Sequence, residues 1–335
     1  MTPTNRTKID WLNMVFPTPR LKDVLDMTDG WLGSHVDAPG QHTYVNGATW
    51  ETKAFAFWSD ERPECMLSLN GDSLDFFIDD APLRLLSECE QIGGKATRID
   101  LAYDDFTRQL LDLDMVNVAA HEGNYFGFKN FARHAKFRRT KGETLMLNHG
   151  YTFGEPGSTG SGKQVVFYDK NLQSKGQVNS IRIESRFFKQ RADVIVQALT
   201  TAPNMIVLSS KANALIAGSI DFRRRTNNND RHADRYPRLE WWERVVNALS
   251  HSTINVTRPI HPLMKSAAYH RFAYAKTLAA ISTQADKQGW DGPGVIHRHV
   301  DLMISEGLDR LSVEPMPECR DLTLNVEQLL APATD

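Results

Sequence analysis

Gly157–Arg191 reads GSTGSGKQVVFYDKNLQSKGQVNSIRIESRFFKQR, and two folds compete for it. GSTGSGKQ comes within one residue of a phosphate-binding loop, which would sit between a strand and a helix in a parallel α/β protein. The eighth position of that loop, where Ser or Thr holds Mg²⁺, is Gln164, and Val165 to Lys170 that follow are β-prone. The stretch therefore reads as a hairpin. Leu145 to Phe153 and Val165 to Lys170 form paired strands around a glycine-rich tip, and Ile181 to Phe188 forms a third. Strand alternation gives Val166, Tyr168 and Lys170 a common face, and likewise Arg182, Glu184 and Arg186. A strand carries Arg-x-Glu-x-Arg on one side only if that side is wet or paired.

Upstream, Ala96–Asp105 (ATRIDLAYDD) alternates as well, with Ile99, Leu101 and Tyr103 on one face and Asp100, Ala102 and Asp104 on the other. Period two sets Asp100 and Asp104 on the same side of the strand, two pleats apart. Acidic residues are depleted inside strands, so this clustering needs a reason. Asp104 and Asp105 alternatively open a turn or cap a helix over Leu110 to Ala120. Placing Glu184 beside Asp100 would supply two oxygen ligands for Mg²⁺ or Mn²⁺, an ion that takes few carboxylates and keeps waters. Lys170 or an arginine would offset charge developing on a phosphodiester. A tyrosine such as Tyr168, with an ordinary pKa near 10, needs a cationic setting to act as a nucleophile.

Around this centre the chain offers Ile9 to Phe16 as a first strand and a short helix from Leu21 to Met27. A hairpin spans Thr43 to Trp58 with Asn46-Gly47 as its turn, followed by a strand from Cys65 to Leu69 and a helix from Ala81 to Ile92. Phe126 to Arg139 interleaves rings and cations, a composition suited to stacking on bases and pairing with phosphates. Strand pairs alternating with helices, without a regular βαβ repeat, indicate an α+β fold. We expect a mainly antiparallel sheet flanked by helices over residues 1–202 and a basic, Asn-rich linker over 203–237. A smaller helical region over 238–335 completes the chain, including helices from Leu239 to Leu249, Leu263 to Gln288 and Val295 to Leu308.

The net charge of −2 conceals segregation. Residues 1–120 hold 20 acidic and 10 basic side chains, 129–192 hold 4 and 13, and 211–276 hold 5 and 12. The last stretch, 286–335, returns to 10 acidic against 4 basic. Basic blocks between acidic ends suggest a nucleic-acid surface. No apolar run is long enough for a membrane span, the N-terminus lacks a signal-peptide core, and the three cysteines have no metal or disulfide spacing. A cytoplasmic protein is expected. His297-Arg298-His299 lacks the apolar middle residue of a paired-histidine metal motif and falls in a helix. No zinc-protease, serine-hydrolase or dinucleotide motif is present.

The opening IDWL strand (Ile9–Leu12), RIDLAYDD (Arg98–Asp105), the GS..SGKQ...YDK segment ending at Lys170, RIE.R (Arg182–Arg186) and RLEWWERV (Arg238–Val245) occur in one order and spacing. In that order they resemble the phage replication initiation protein family, whose members start rolling-circle replication in filamentous phages and are similar to initiators of Gram-positive rolling-circle plasmids. The resemblance covers roughly residues 8–250. It implies a strand-specific, tyrosine-nucleophile DNA endonuclease and ligase. Tyr168 would attack origin DNA, form a 5′-phosphotyrosine link, free a 3′-OH and later rejoin the strand, with Lys170 assisting.

By the same analogy Asp100 and Glu184 would hold Mg²⁺ or Mn²⁺, with Asp104 or Asp169 as a third ligand. Tyr151 and Tyr125 are the reserve nucleophiles. Candidate DNA contacts are Arg98, Lys129, Arg133, Arg138, Arg139, Lys163, Arg182 and Arg186. The implied substrate is a single-stranded or extruded-hairpin origin, with host helicase and polymerase as partners and a homodimer among the assemblies to test. The competing function is a non-catalytic DNA-binding regulator that keeps the sheet without the chemistry.

Overall fold

The alternation in Ile99–Asp105 settles into a strand buried on both sides. Ile99, Leu101 and Tyr103 are fully buried beneath helices, while Asp100 and Asp104 are equally buried on the opposite face. The computed structural model describes residues 5–75, 77, 79–139, 144–155, 162–226, 235–251, 278–279 and 281–313. In chain order the elements are β1 (Arg6–Pro17), α1 (Leu21–Leu32), β2 (Val36–Pro39), β3 (Asn46–Thr49), β4 (Phe55–Trp58), β5 (Glu64–Asn70), α2 (Gly71–Leu74) and α3 (Ala81–Gln91). Next come β6 (Lys95–Asp105), α4 (Leu113–His121), β7 (Tyr125–Phe126), β8 (Phe131–Arg139), β9 (Thr144–Phe153), β10 (Lys163–Asp169), α5 (Lys170–Gln173) and β11 (Ile181–Phe188). The chain continues with α6 (Gln190–Thr200), α7 (Met205–Ala217), β12 (Asp221–Phe222), α8 (Glu240–His251) and α9 (Gly292–Val313).

Ten strands form one sheet in the order β2-β3-β4-β5-β1-β6-β11-β10-β9-β8, and every pairing is antiparallel. This is the expected α+β class, a large antiparallel sheet flanked by helices. On one face lies the core. Phe153 packs on Phe167 and Phe222, and these two meet Trp241 and Trp242 of α8, with the Phe222 and Trp242 ring centroids 5.1 Å apart. Burying this much aromatic area, at roughly 25 cal/mol per Å², is the main force holding the helices on the sheet.

The chain divides into two compact units, residues 1–257 and 258–335. The site described below lies wholly in the first. Helix α7 falls in the stretch read as linker, yet Leu208, Ala212 and Ile216 belong to the core. Its amino end is capped by Asn204, whose side chain accepts from the Val207 amide. The composition of residues 223–235 had drawn the linker too far upstream.

The Thr43–Trp58 hairpin forms as β3 and β4, but Asn46-Gly47 is not its turn. Those two residues lie within β3, paired to Trp58 and Phe57, and the reversal runs through Glu51 to Lys53, where Lys53 adopts φ 62°. Gly47 is glycine for a different reason: a Cβ there would stand about 3 Å from the Pro39 and Ala38 carbonyl oxygens and the Phe57 ring. The glycine-rich tip at 156–161, most of the expected helix from Leu263 and the tail beyond 313 lie outside the described residues. His297 and His299 sit in α9 of the second unit, where His297 lies 3.6 Å from Asp301 one turn on. Among the described residues no helix is long and apolar enough to cross a membrane.

Candidate active site on the polar sheet face

Register alone assembles the polar face. Tyr168 pairs with Arg182 and Arg182 with Asp104; Val166 pairs with Glu184 and Glu184 with Ala102; Gln164 pairs with Arg186 and Arg186 with Asp100. Directly paired residues project to the same side of a sheet, so three strands deliver Tyr168, Glu184, Arg182, Arg186, Asp100 and Asp104 to one surface. On β1, alternation from Arg6 and Lys8, which pair with Asp104 and Ala102, puts Asp10 on the same face as a seventh residue, within reach of Arg182. The register shift between Ile9 and Trp11 is a bulge that brings Trp11 to that side as well.

The Tyr168 hydroxyl donates to Glu184 Oε2 at 2.8 Å, and Glu184 Oε1 accepts from Arg186 Nε at 2.7 Å. Arg182, fully buried, donates through Nε and a terminal nitrogen to both oxygens of Asp104 at 2.8 and 2.7 Å. Its other terminal nitrogen lies 2.7 Å from Asp10. Ser180 adds a 3.0 Å hydrogen bond to Asp104. A guanidinium in the interior is tolerated only with such pairing, since an unpaired buried charge costs several kcal/mol.

The titration behaviour follows from these contacts. Burial pushes the Tyr168 phenol well above its ordinary range; Arg182 pulls it down, while Glu184 and Asp10 push it further up. Burial also raises Asp10 and Asp104, but Arg182 and neighbouring cations outweigh it and hold both below the usual carboxylate range. Asp100 goes the other way, to about 7: burial dominates, and the nearby Glu184 charge adds to it against Arg98 and Arg186. Lys170, whose ammonium lies 5.8 Å from the centroid of the Tyr168 ring, is lowered by burial and by Arg182.

Asp100 and Glu184 form the donor pair that suits a divalent ion. Arg186 Nε already lies between them, 2.7 Å from Glu184 and 3.8 Å from Asp100, so the pair attracts a cation. Arg98 closes the other side of Asp100 at 3.0 and 2.5 Å. Both arginines are part-exposed, so an ion that keeps most of its waters could displace them and take two carboxylates. Asp104 is committed to Arg182, and Asp169 caps α5 through the Leu172 amide while pairing with Arg108. No three His, Cys, Asp or Glu side chains converge to hold an ion among the described residues.

The other candidates separate clearly. Arg182 is too deeply paired to touch DNA, and this corrects its reading as a contact. Arg98 stacks on Trp11 and chelates Asp100. Lys163 is on the helix side, donating to the Ser219 carbonyl and lying over Phe128, so it does not share the face of Tyr168. Lys129, Arg133, Arg138 and Arg139 are exposed, the last three on β8. Tyr151 projects to the core and Tyr125 packs on Phe131 and Phe153, so neither reserve tyrosine joins the cluster.

Sequence reasoning missed Asp10, Gly150 and Arg108. Asp10 sits in the quoted IDWL strand and alternates with Ile9, but its pairing with Arg182 on another strand leaves no sequence signal. Arg108 reaches both Asp169 and Asn179 from a positive-φ position at the mouth of the site. Gly150, opposite Tyr168, has ordinary strand geometry but no room: a Cβ would lie 2.8 Å from the Tyr168 Cβ and 2.5 Å from the Phe167 carbonyl oxygen.

A family model described as "Replication initiation factor" matches residues 94–291, more than half of the chain and all of β6, β10 and β11. The chain belongs to the replication initiation factor family. A solved structure titled "Structure of Rolling Circle Replication Initiator Protein from Geobacillus stearothermophilus" is similar in fold, with a TM-score of 0.60 at 20% identity, covering 76% of this chain and 100% of that one. No curated protein sequence matches. Membership implies a role in starting replication.

Proposed function

We propose that this initiator nicks one strand of origin DNA for rolling-circle replication, using Tyr168 as the nucleophile. The observation that carries the reading is the 2.8 Å hydrogen bond from the Tyr168 hydroxyl to Glu184 on a face rich in arginine. Because burial keeps the phenol protonated, attack requires a base already in contact, and Glu184 is that base. As the Tyr168 oxygen bonds to phosphorus, its proton passes to Glu184 and the P–O3′ bond breaks. The departing 3′ oxygen takes a proton from the Lys170 ammonium, whose lowered pKa makes it the better acid. The products are a 5′-phosphotyrosine and a free 3′-OH.

Arg186 carries charge compensation on the side of Glu184, and Arg182, held by Asp10 and Asp104, favours the phenolate across the strand pair. The phosphotyrosine link is a phosphodiester like the bond it replaces. A returning 3′-OH therefore reverses the step and seals the strand without an external energy source. Mg²⁺ or Mn²⁺ held by Asp100 and Glu184 would polarise the phosphodiester oxygens. The similar fold of a rolling-circle initiator supports this reading, and a DNA-binding regulator would have no use for the Tyr168–Glu184 contact.

The experiment is incubation of the full chain with supercoiled origin DNA and Mg²⁺ or Mn²⁺, followed by peptide mapping of any covalent adduct. Open circles and a nucleotide-linked peptide containing Tyr168 are expected, with both lost in Tyr168→Phe. An adduct mapped to another residue, or full nicking by Tyr168→Phe, would remove Tyr168 from the role. Binding without an adduct under either metal would leave only the regulator.

A further inference from the structure

The outer end of the β8–β9 hairpin leaves the sheet. β9 pairs with β10 only from Gly150 to Phe153, whereas its pairing with β8 continues to Thr144. Residues 144–149 and their partners on β8 thus form a two-stranded ribbon about 20 Å long with no strand on either flank among the described residues. It carries Lys136, Arg138, Arg139 and His149, with Arg133 and His134 at its foot, and no acidic residue occurs across 131–139 or 144–153. The cross-strand row Arg182–Tyr168–Gly150–His134 runs from the candidate active site to the foot of this ribbon. His134, Lys136 and Arg138 continue outward on the same face as Tyr168, beginning two strands, or roughly 10 Å, away.

Cations on an edge strand also discourage sheet-to-sheet aggregation, and that alone would explain the charges. It does not explain the ribbon's apolar surface. Phe137 is 54% exposed, and its directly paired neighbour Met146 is 38% exposed; Leu145, 45% exposed, pairs with Arg138 on the opposite face. A register shift between Lys136 and Phe137 increases the local twist just where these side chains emerge. An edge protected against association would not display three large apolar groups at its most accessible end.

We infer that the β8–β9 ribbon is a duplex-DNA reader that enters the major groove beside the cut site. The end of a two-stranded ribbon fits the roughly 12 Å major groove with both faces enclosed: Lys136, Arg138 and Leu145 on the active-site face, and Phe137, Met146 and Arg139 on the other, meet phosphate walls, thymine methyls or base edges. The inference rests on the nicking reading for its orientation, because the ribbon's active-site face then holds the double-helical arm next to the strand presented to Tyr168. It differs from the single-strand stacking that the rings and cations of 126–139 suggest in sequence: Phe131 and Phe128 pack into the core, and Phe137 alone of the ribbon's rings is exposed.

The test measures binding of the full chain to a short duplex of arbitrary sequence and to an oligothymidine of equal length, across a salt series. Lys136→Ala with Arg138→Ala should weaken duplex binding about tenfold and make the log–log salt slope shallower by about two. Phe137→Ser should weaken the duplex without changing that slope. Oligothymidine binding should change less than about twofold in each. Equal losses on both probes would assign the ribbon to single strands, and unchanged duplex binding would reduce it to edge protection; either overturns the inference. Repeating the series in Tyr168→Phe separates the two claims. Full nicking by Tyr168→Phe with a persistent ribbon effect would sink the catalytic reading alone.

Discussion

Gly150→Ala tests whether strand geometry positions the nucleophile. The added methyl would stand 2.8 Å from the Tyr168 Cβ and 2.5 Å from the Phe167 carbonyl oxygen, where ordinary contacts begin at 3.4 Å. Neither neighbour can swing away, since one is the root of a side chain and the other is backbone. β10 must therefore draw back from β9 by roughly 0.6 Å at Tyr168, carrying the phenol with it and loosening its contact with Glu184. A 1 Å misplacement of a reacting group costs about a hundredfold in rate, so a loss of roughly ten- to twentyfold in adduct formation is expected. Overpacking should cost about 1–3 kcal/mol of stability, leaving most of the protein folded below its transition.

The assay is single-turnover covalent capture on a short single-stranded oligonucleotide, beside a thermal melt. Wild-type capture kinetics in a folded, destabilised Gly150→Ala protein would refute the reasoning. That result would mean that the strand relaxes without moving the phenol.

Further predictions concern the charges. Glu184→Gln should lower the single-turnover rate by about 10²–10⁴, because the buried phenol loses its base, and raising the pH should restore part of it. Asp104→Asn should cost about 3 kcal/mol in a urea titration, at the low end for breaking a buried ion pair because Asp10 still faces Arg182. Asp100, whose folded pKa of about 7 lies above the ordinary 3.8, lends stability that is full below pH 3.8 and lost as the pH rises toward 7. Asp100→Asn should therefore flatten that decline in chemical denaturation. Asp10 and Asp104, with lowered pKa values, act in the opposite sense: their stabilisation is present above about 3.8 and lost on further acidification.

Much of the fold was legible because the strands alternate. Arg98–Asp105 and Arg182–Arg186 could be read as two-sided strands, and the failed phosphate-loop match before VVFYDK argued for antiparallel pairing. The site was half legible for the same reason, since period two fixes which side chains share a face within a strand. It says nothing of which strands become neighbours, so the partners of Asp104 could not be read. An aspartate that looked like a metal ligand is the counter-ion of a buried arginine, and Arg182, which looked like a DNA contact, is that arginine. Asp169, another expected ligand, is a helix cap, a role its position before Lys170–Gln173 reveals only once that turn of helix is seen. The contact of Asp10 with Arg182 and the close approach at Gly150 are tertiary events without a local signature.

The clamp on Arg182 also orders events during synthesis. Asp10, from the first strand made, and Asp104, from the sixth, must wait for a guanidinium that emerges with β11. Until then the nascent sheet has two inward-facing carboxylates without their shared counter-ion, and the strand that supplies it also brings Glu184. A ribosome that stops early therefore releases a chain with neither a settled sheet centre nor a base for the tyrosine. Under the proposed nicking reaction, the strand that settles the centre of the sheet is also the one that supplies the base.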